Sequence, residues 1–438
     1  MSYLVGVLVI LGGLLVSIAL HEVGHMVPAK RFGVRVSQYM VGFGPTLWSR
    51  TRGETEYGLK AIPLGGYVRL VGMYPPGDPR AERRTGRVAE LVQSARDASS
   101  EEIVPGEEHR AFYNLSAPKK LVVMLGGPFM NLVIAAVLFT VVVVGFGAFG
   151  PTTTLASVSQ CVLPAGAPAD AECTEGSELA PAAAAGLLPG DTVVEFGGEA
   201  TTGWDQLAAQ ISAAGGTPTE VVVERDGRRV ESVVTPVVAD RPTTDDSGAV
   251  VLDSDGEPVT QSVGFLGISP TQGLEPQPVT VVPGMVWDRL VQTAQVIVTL
   301  PQRMVDIAQV AFGLEERDPT SVVGPVGVGR FAGEIASVQI DGYDTALRTA
   351  DLLMMVAGLN IALFAFNLVP LLPLDGGHVV GALYEGARRQ VARVRGRPRP
   401  APADTARMMP LAYGVFVVMA AMGALIAYVD IVRPVQLM

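Results

Sequence analysis

The sequence predicts a polytopic α-helical membrane protein with four transmembrane helices, a membrane-associated β-hairpin loop and one extracytoplasmic α+β domain. Three observations predict it. A mean hydropathy of +0.36 with 17% charged residues is too apolar for an ordinary soluble chain of this length. Residues 3–29, 121–149, 352–374 and 409–429 are each apolar over the roughly 20 residues that a bilayer requires. Between the second and third of these, strand-like and helix-like segments alternate around Gly- and Pro-rich turns, as in a small folded domain.

The first span has neither a basic leading segment nor an Ala-x-Ala cleavage site, so it is expected to be a retained helix and not a signal peptide. Orientation follows from Lys/Arg placement. Lys30 and Arg31 close the first span, and residues 31–117 hold 12 Lys/Arg against 10 Asp/Glu. The segment after the third span carries Arg388, Arg389, Arg393, Arg395, Arg397, Arg399 and Arg407, whereas residues 151–350 hold 9 Arg, no Lys and 27 Asp/Glu. The basic loops are thus expected on the cytoplasmic side, with the acidic region and both termini outside. A net charge of −11, without any compact basic domain, excludes nucleic acid as a partner. The two cysteines, Cys161 and Cys173, are too few for a multi-cysteine zinc site. Both fall outside, where a disulfide can persist, and a spacing of 12 residues leaves that pairing open.

The elements are expected in the following order. Residues 1–33 form transmembrane helix 1, and 34–74 a membrane-associated β-loop. In the loop, 34–39 and 67–71 read as short strands, separated by Gly42-Phe43-Gly44-Pro45 and Pro63-Leu64-Gly65-Gly66 turns. Such a loop is either a plain cytoplasmic feature or an open edge for an extended peptide. Residues 75–117 are a polar cytoplasmic insert, flexible or weakly helical, and 118–150 transmembrane helix 2 with Gly126-Gly127-Pro128-Phe129-Met130-Asn131. Residues 151–275 are the extracytoplasmic domain, whose acidic stretch 239–261 reads as an insertion loop. Residues 276–348 comprise an amphipathic helix and a Gly/Pro-rich connector. Transmembrane helix 3 occupies 349–384, a basic cytoplasmic loop 385–408 and transmembrane helix 4 409–438.

Function is signalled by His21-Glu22-Val23-Gly24-His25, set in a span otherwise uncharged from Tyr3 to Leu20. An HExxH spacing puts two imidazoles on one helix face, able to share a metal, with the glutamate beside the metal's water. Ionisable groups at membrane depth mark function. A catalytic zinc normally takes three protein ligands. The third span ends in Asn367-Leu368-Val369-Pro370-Leu371-Leu372-Pro373-Leu374-Asp375-Gly376-Gly377-His378, where prolines and glycines break the helix at Asp375. Counted from the outer ends of their spans, Asp375 and His21 reach similar depth. His21, His25 and Asp375 therefore make a ligand set, with Glu22 as base and His378 as a less favoured alternative ligand. His109, in a solvated Glu-Glu-His-Arg setting, is not expected to bind metal.

In the acidic region, Leu187-Leu188-Pro189-Gly190-Asp191 leads into a strand at 192–196, a helix at 204–213 and a hairpin turned by Asp226-Gly227. This order resembles a PDZ domain of the bacterial protease type. The resemblance implies a groove lined by the Leu187-Leu188 region and the 204–213 helix, used either to hold a peptide tail or as a size filter.

Taken in order, HEVGH, GFGP, PLGGYV, GGPFMN, the PDZ-like segment and NLVPLLPLDGGH resemble the bacterial branch of the site-2 protease family, intramembrane zinc metalloproteases. The resemblance covers nearly the whole chain. It implies zinc as cofactor, His21, His25 and Asp375 as ligands, and Glu22 as catalytic base. It also implies Asn131, Asn367, Tyr67, Gly65 and Gly66 as substrate-binding residues, which favours the open-edge alternative for the β-loop. The implied substrates are single-span membrane proteins, in particular an anti-sigma factor after a first extracytoplasmic cut. One PDZ-like domain, where enterobacterial members carry two, and four lysines against 28 arginines point to the actinobacterial type. Three other classes fit less well. A PDZ-bearing scaffold with a structural metal would leave substrate uncut with or without zinc, a zinc transporter calls for further intramembrane metal sites, and an aspartyl protease needs a second deep aspartate beside Asp375.

Overall fold

The computed structural model describes residues 2–76, 86–162, 173, 177–243, 259–318, 321–340 and 343–435. Part of the polar insert (77–85) and most of the acidic insertion (244–258) lie outside the described residues. The chain forms two compact units, residues 1–143 with 278–438 and residues 144–277.

The first unit opens with α1 (Ser2–Arg31), whose 30 residues at about 1.5 Å each reach roughly 45 Å, enough to cross a bilayer. Lys30 and Arg31 sit in its last turn, where cations complement the helix dipole. β1 (Val36–Arg52) and β2 (Thr55–Leu70) follow. They are longer than the two short strands expected and form more than a simple hairpin. Tyr39 pairs with Val68 on one side and with Tyr57 on the other, while Arg50 also pairs with Tyr57. The sheet therefore folds back on itself, with residues 38–41 inside and 66–70 on an edge. Residues 44–52 are exposed throughout, so no buried alternation announced them as a strand. In the polar insert, α2 (Arg87–Glu101) is a well-formed helix held to the chain's far end by an Arg96–Asp404 ion pair. α3 (Ala117–Thr140) is continued by a π-helical turn over Val141–Phe146.

The second unit holds β3 (Ala148–Val158), α4 (Pro181–Ala184), β4 (Thr192–Phe196), β5 (Glu199–Ala200), α5 (Trp204–Ala213), β6 (Thr219–Arg225), β7 (Arg228–Val234), β8 (Val237–Pro242), β9 (Thr260–Phe265) and β10 (Ile268–Glu275). Its antiparallel sheet runs β10-β3-β4-β6-β7, with β5 on β4 and β8–β9 as a separate hairpin. The arms of the expected acidic insertion loop are thus strands, and a kink at Leu266-Gly267 separates β9 from β10. Leu155, Leu187, Val193, Phe196, Leu207, Val221 and Leu266 form the core. Asp226 and Gly227 both take positive φ, as a tight two-residue hairpin turn demands. Cys161 and Cys173 are joined as a disulfide. The Asp191 carboxylate accepts from the Leu188 backbone N–H and forms a two-point ion pair with Arg225 at 2.7 Å. Burial pushes the Asp191 pKa up, but Arg225 and the Leu188 N–H outweigh it and hold the carboxyl below its usual range.

Back in the first unit, α6 (Val282–Ala311) is the expected amphipathic helix. Val282, Met285 and Leu290 pack with Ala135, Phe139 and Ile361, and Ile307 and Val310 pack with Val429. The expected connector contains a helix, α7 (Pro325–Ser337). Gly and Pro concealed it, yet Pro325 occupies its first turn and the buried Asp430 carboxylate accepts from the Gly324 and Gly327 N–H groups. α8 (Thr345–Asn367) stops at Asn367, short of the expected 374. After a bend, α9 (Asp375–Val394) starts at Asp375 and runs well into the stretch expected as a basic loop. α10 (Met409–Val432) closes the chain. Among the described residues, the helical segments Ser2–Arg31, Ala117–Phe146, Thr345–Asn367 and Thr405–Val432 are long and apolar enough to cross a membrane.

Candidate metal centre

His21 and His25 lie one helical turn apart on α1, with ring centroids 4.8 Å apart. Their Nε2 atoms are 3.2 Å from each other, and each is 3.3 Å from Asp375 Oδ2. The three side chains leave only 12%, 9% and 19% of their surface exposed. Asp375 reaches them because residues 368–374 turn the chain between α8 and α9. A Cβ on Gly376 would stand 2.2 Å from the Val369 carbonyl oxygen, so the bend closes tightly over the first turn of α9. Further along α9, the buried Glu385 carboxylate pairs with Lys120 at 2.8 Å and Arg389 at 2.7 Å and accepts from the Ala403 N–H. That node ties α9 to the base of α3.

α3 supplies the floor of the site. Cβ atoms on Gly24 and Gly126 would meet the facing helix's carbonyl oxygens at 2.2 and 2.0 Å, so α1 and α3 touch backbone to backbone. A Cβ on Gly127 would lie 2.2 Å from His25 Nε2 and 2.7 Å from His21 Nε2. Only a residue without a side chain leaves both imidazoles in place.

The donor set fits a zinc ion. Ligand bonds of about 2.0–2.1 Å in a tetrahedron put the ligand atoms roughly 3.3 Å apart, the spacing seen here. His25 Nδ1 is 2.8 Å from the Val123 carbonyl oxygen, which can only accept, so Nδ1 carries the proton and Nε2 presents a lone pair. Asp375 Oδ2 is buried without a hydrogen-bond partner, as is Asn131 Oδ1. Asn131 Nδ2 faces His21 Nδ1 at 3.1 Å. Ligation through His21 Nε2 puts the proton on Nδ1, and the amide then turns to place Oδ1 there, since amide oxygen and nitrogen are interchangeable in shape. A cation between the three atoms satisfies Asp375 Oδ2 and makes sense of the Asn131 contact together.

Glu22 is 9% exposed and shares the site electrostatically with His21, His25 and Asp375. The Val68 backbone N–H approaches its carboxylate, and a Cβ on Gly66 would lie 3.1 Å from Glu22 Cγ. The open edge of β2 thus runs beside the glutamate. Of the other predicted residues, Asn131 is in the site. Gly65 sits under the Phe43 ring, while the Tyr67 ring stacks on Phe43 and its hydroxyl faces Gln38 Oε1. Asn367 ends α8. His378 lies in α9, outside the group of converging ligand atoms. The Val123 carbonyl, the Gly127 clearance and the Lys120–Glu385 anchor were not anticipated. Only the paired glycines of GGPF carried a visible signal.

The sequence profile described as Peptidase family M50 matches residues 9–400. The chain belongs to peptidase family M50. Among its relatives, this M50 chain is 32% identical to the zinc metalloprotease Rip1 of Mycobacterium tuberculosis and 33% identical to that of Mycolicibacterium smegmatis, with all of both chains covered. It is 27% identical to the metalloprotease MmpA of Caulobacter vibrioides, over 89% of this chain and 90% of that one. The M50 chain is accordingly a zinc metalloprotease of the site-2 protease type, whose family implies intramembrane proteolysis.

Proposed function

We propose that this M50 protease hydrolyses a peptide bond within or beside the transmembrane helix of a single-span membrane protein, with His21, His25 and Asp375 holding the zinc. The convergence of His21 Nε2, His25 Nε2 and Asp375 Oδ2 at 3.2–3.3 Å carries this reading. When bound, zinc acidifies a water to a pKa near ~7 and polarises the scissile carbonyl. Glu22 takes the proton of the attacking water and returns it to the leaving amine. The β2 edge at residues 66–70 receives the substrate as an added extended strand, with Gly66 keeping that edge close to Glu22. Gly65 and Tyr67 flank it, and Asn367, the last residue of α8, is assigned to substrate binding with them. Once the Asn131 carbonyl oxygen engages His21, its NH2 is free to donate to a substrate carbonyl.

The Lys/Arg distribution supports a cytoplasmic membrane protein with the second unit and both termini outside. In that arrangement the second unit is a PDZ domain, and a fitting substrate is an anti-sigma factor shortened by an earlier extracytoplasmic cut. The test is co-expression with a tagged single-span reporter. Glu22→Gln and Asp375→Asn should each lower cleavage by at least about 10³-fold while membrane insertion is retained. Cleavage at the wild-type rate in either variant refutes the assignment.

A further inference from the structure

α9 leaves the metal centre at Asp375 and runs about 30 Å to Val394. Gly376, Gly377, Ala382, Glu385 and Ala392 form its buried side. The opposite side is apolar too, but exposed. Val380, Leu383, Tyr384, Val391 and Val394 are 43–78% exposed and recur at spacings of 3, 4 and 7, which puts them on one stripe. α9 is nevertheless not among the described helices long and apolar enough to cross a membrane.

Arginines border this stripe. Arg388 and Arg395, two turns apart, lie along one side of it and Arg393 on the other, and Arg397 and Arg399 follow directly. All five are exposed. Among the described residues none of them pairs with a carboxylate. Glu385, the single acidic residue between Asp375 and Asp404, is buried and already held by Lys120 and Arg389. Arg388 instead lies over the Tyr384 ring at 5.5 Å, which joins the charged border to the stripe.

The neighbours of α9 set its depth. Glu385 pairs with Lys120 in the first turn of α3, and a Cβ on Gly386 would stand 3.3 Å from the Cβ of Ala117, the first residue of that helix. Lys119 and Lys120 there, like Lys30 and Arg31 at the end of α1, mark where the spans leave the apolar layer. Val380, Leu383 and Tyr384 therefore face acyl chains just inside that border, and the arginines from Arg388 onward lie at headgroup level. An apolar stripe with a basic border suits a membrane surface, and the guanidinium fork matches a phosphodiester.

We infer that the exposed face of α9 and the Arg-rich segment after it form a docking surface for anionic phospholipid in the leaflet they face, with Arg388, Arg393 and Arg395 as its charge-bearing residues. This rests on the membrane-spanning reading of the chain, and on neither its orientation nor the catalytic assignment.

The test uses the full-length protein with Trp48→Phe, Trp204→Phe, Trp287→Phe and Tyr384→Trp, which leaves a single indole, on the stripe, in phosphatidylcholine nanodiscs. Quenching of that indole is measured as brominated phosphatidylglycerol or brominated phosphatidylcholine replaces host lipid at equal mole fraction. Phosphatidylglycerol should occupy the surface at least about fivefold more readily at ~0.05 M salt, and the ratio should fall below about two at ~0.5 M salt, where charges are screened beyond about 5 Å. Arg388→Gln, Arg393→Gln and Arg395→Gln together should bring the ratio to within about twofold of one. Quenching by brominated phosphatidylcholine should stay at the parent level, which shows that the helix still meets the bilayer. The triple change to Lys keeps the charge and must retain most of the preference. If the triple Gln variant cannot be reconstituted, Arg395→Gln alone decides, and it must lower the ratio. Equal quenching by the two lipids in the parent, no quenching by either, or a preference untouched by the Gln variants overturns the proposal. So does displacement of phosphatidylglycerol by poly-glutamate at equal charge, which would assign the arginines to an acidic protein.

Discussion

Gly127→Ala is the most demanding test of the metal centre, because helix propensity and site geometry predict opposite outcomes. In a helix interior, alanine is favoured over glycine by about 1 kcal/mol, so on local grounds the substitution should strengthen α3. In the fold, the new Cβ would lie 2.2 Å from His25 Nε2, where an ordinary contact begins at 3.4 Å. Either the imidazole withdraws by more than about 1 Å or α1 and α3 separate, and Gly24 and Gly126 already bring those backbones together. A displacement of about 1 Å in a reacting constellation costs on the order of 10²-fold in rate. Gly127→Ala should therefore express, insert and lose both bound zinc and activity by about that factor. Metal is measured by mass spectrometry of the purified protein and activity by reporter cleavage. Gly12→Ala, on α1 and with nothing within 4 Å of its Cβ, is the control and should behave as wild type. A Gly127→Ala protein that keeps its full zinc and cuts within about threefold of wild type refutes the geometry.

Three further outcomes are expected. Asn131→Leu removes the group facing His21 Nδ1 and should weaken zinc retention by about 10–100-fold, read by competition with a chelator. Arg225→Gln leaves the buried Asp191 carboxylate with only the Leu188 N–H and should destabilise the second unit, read as a lower urea midpoint at Trp204 with the exposed Trp48 and Trp287 changed to Phe. The same pair sets a pH dependence. The folded Asp191 pKa lies below its unfolded value, so its stabilisation is full above the unfolded pKa near ~4 and fades as pH falls through the folded one. Parent and Arg225→Gln midpoints should converge in acid, and a constant gap from pH 7 down to pH ~2 contradicts the ion pair. Finally, opening the Cys161–Cys173 link, which closes a loop of 12 residues, should cost the second unit about 3 kcal/mol, checked by urea midpoints with and without reductant.

The HEVGH helix and the break before Asp375 were legible because each is a local device. An i,i+4 pair lies on one helix face whatever surrounds it, and the Pro/Gly run 370–377 cannot continue a helix. The four apolar spans were legible for a similar reason, since bilayer thickness sets their length. Less visible were elements whose local signal opposes their final state. α7 hides behind Gly324, Pro325 and Gly327 until Asp430, more than 100 residues away, accepts its first N–H groups. Residues 44–52 carry no buried face and become a strand only by pairing with 55–60. Of the Leu187-Leu188 pair expected at a groove, Leu187 is core and Leu188 is exposed, and Arg225 fixes the turn that follows them through Asp191.

By itself, then, the sequence determined the class of membrane protein, the pair of imidazoles and the aspartate available to join them, all of which depend on spacing along one chain. The tertiary structure alone decided that three lone pairs meet within 3.3 Å, that Gly127 leaves them room, and that Val123 and Asn131 can fix the imidazole protons. The physical reason is the same in each case. Close approach and desolvation arise between residues about 100 or more positions apart at the metal centre, and no local pattern encodes them.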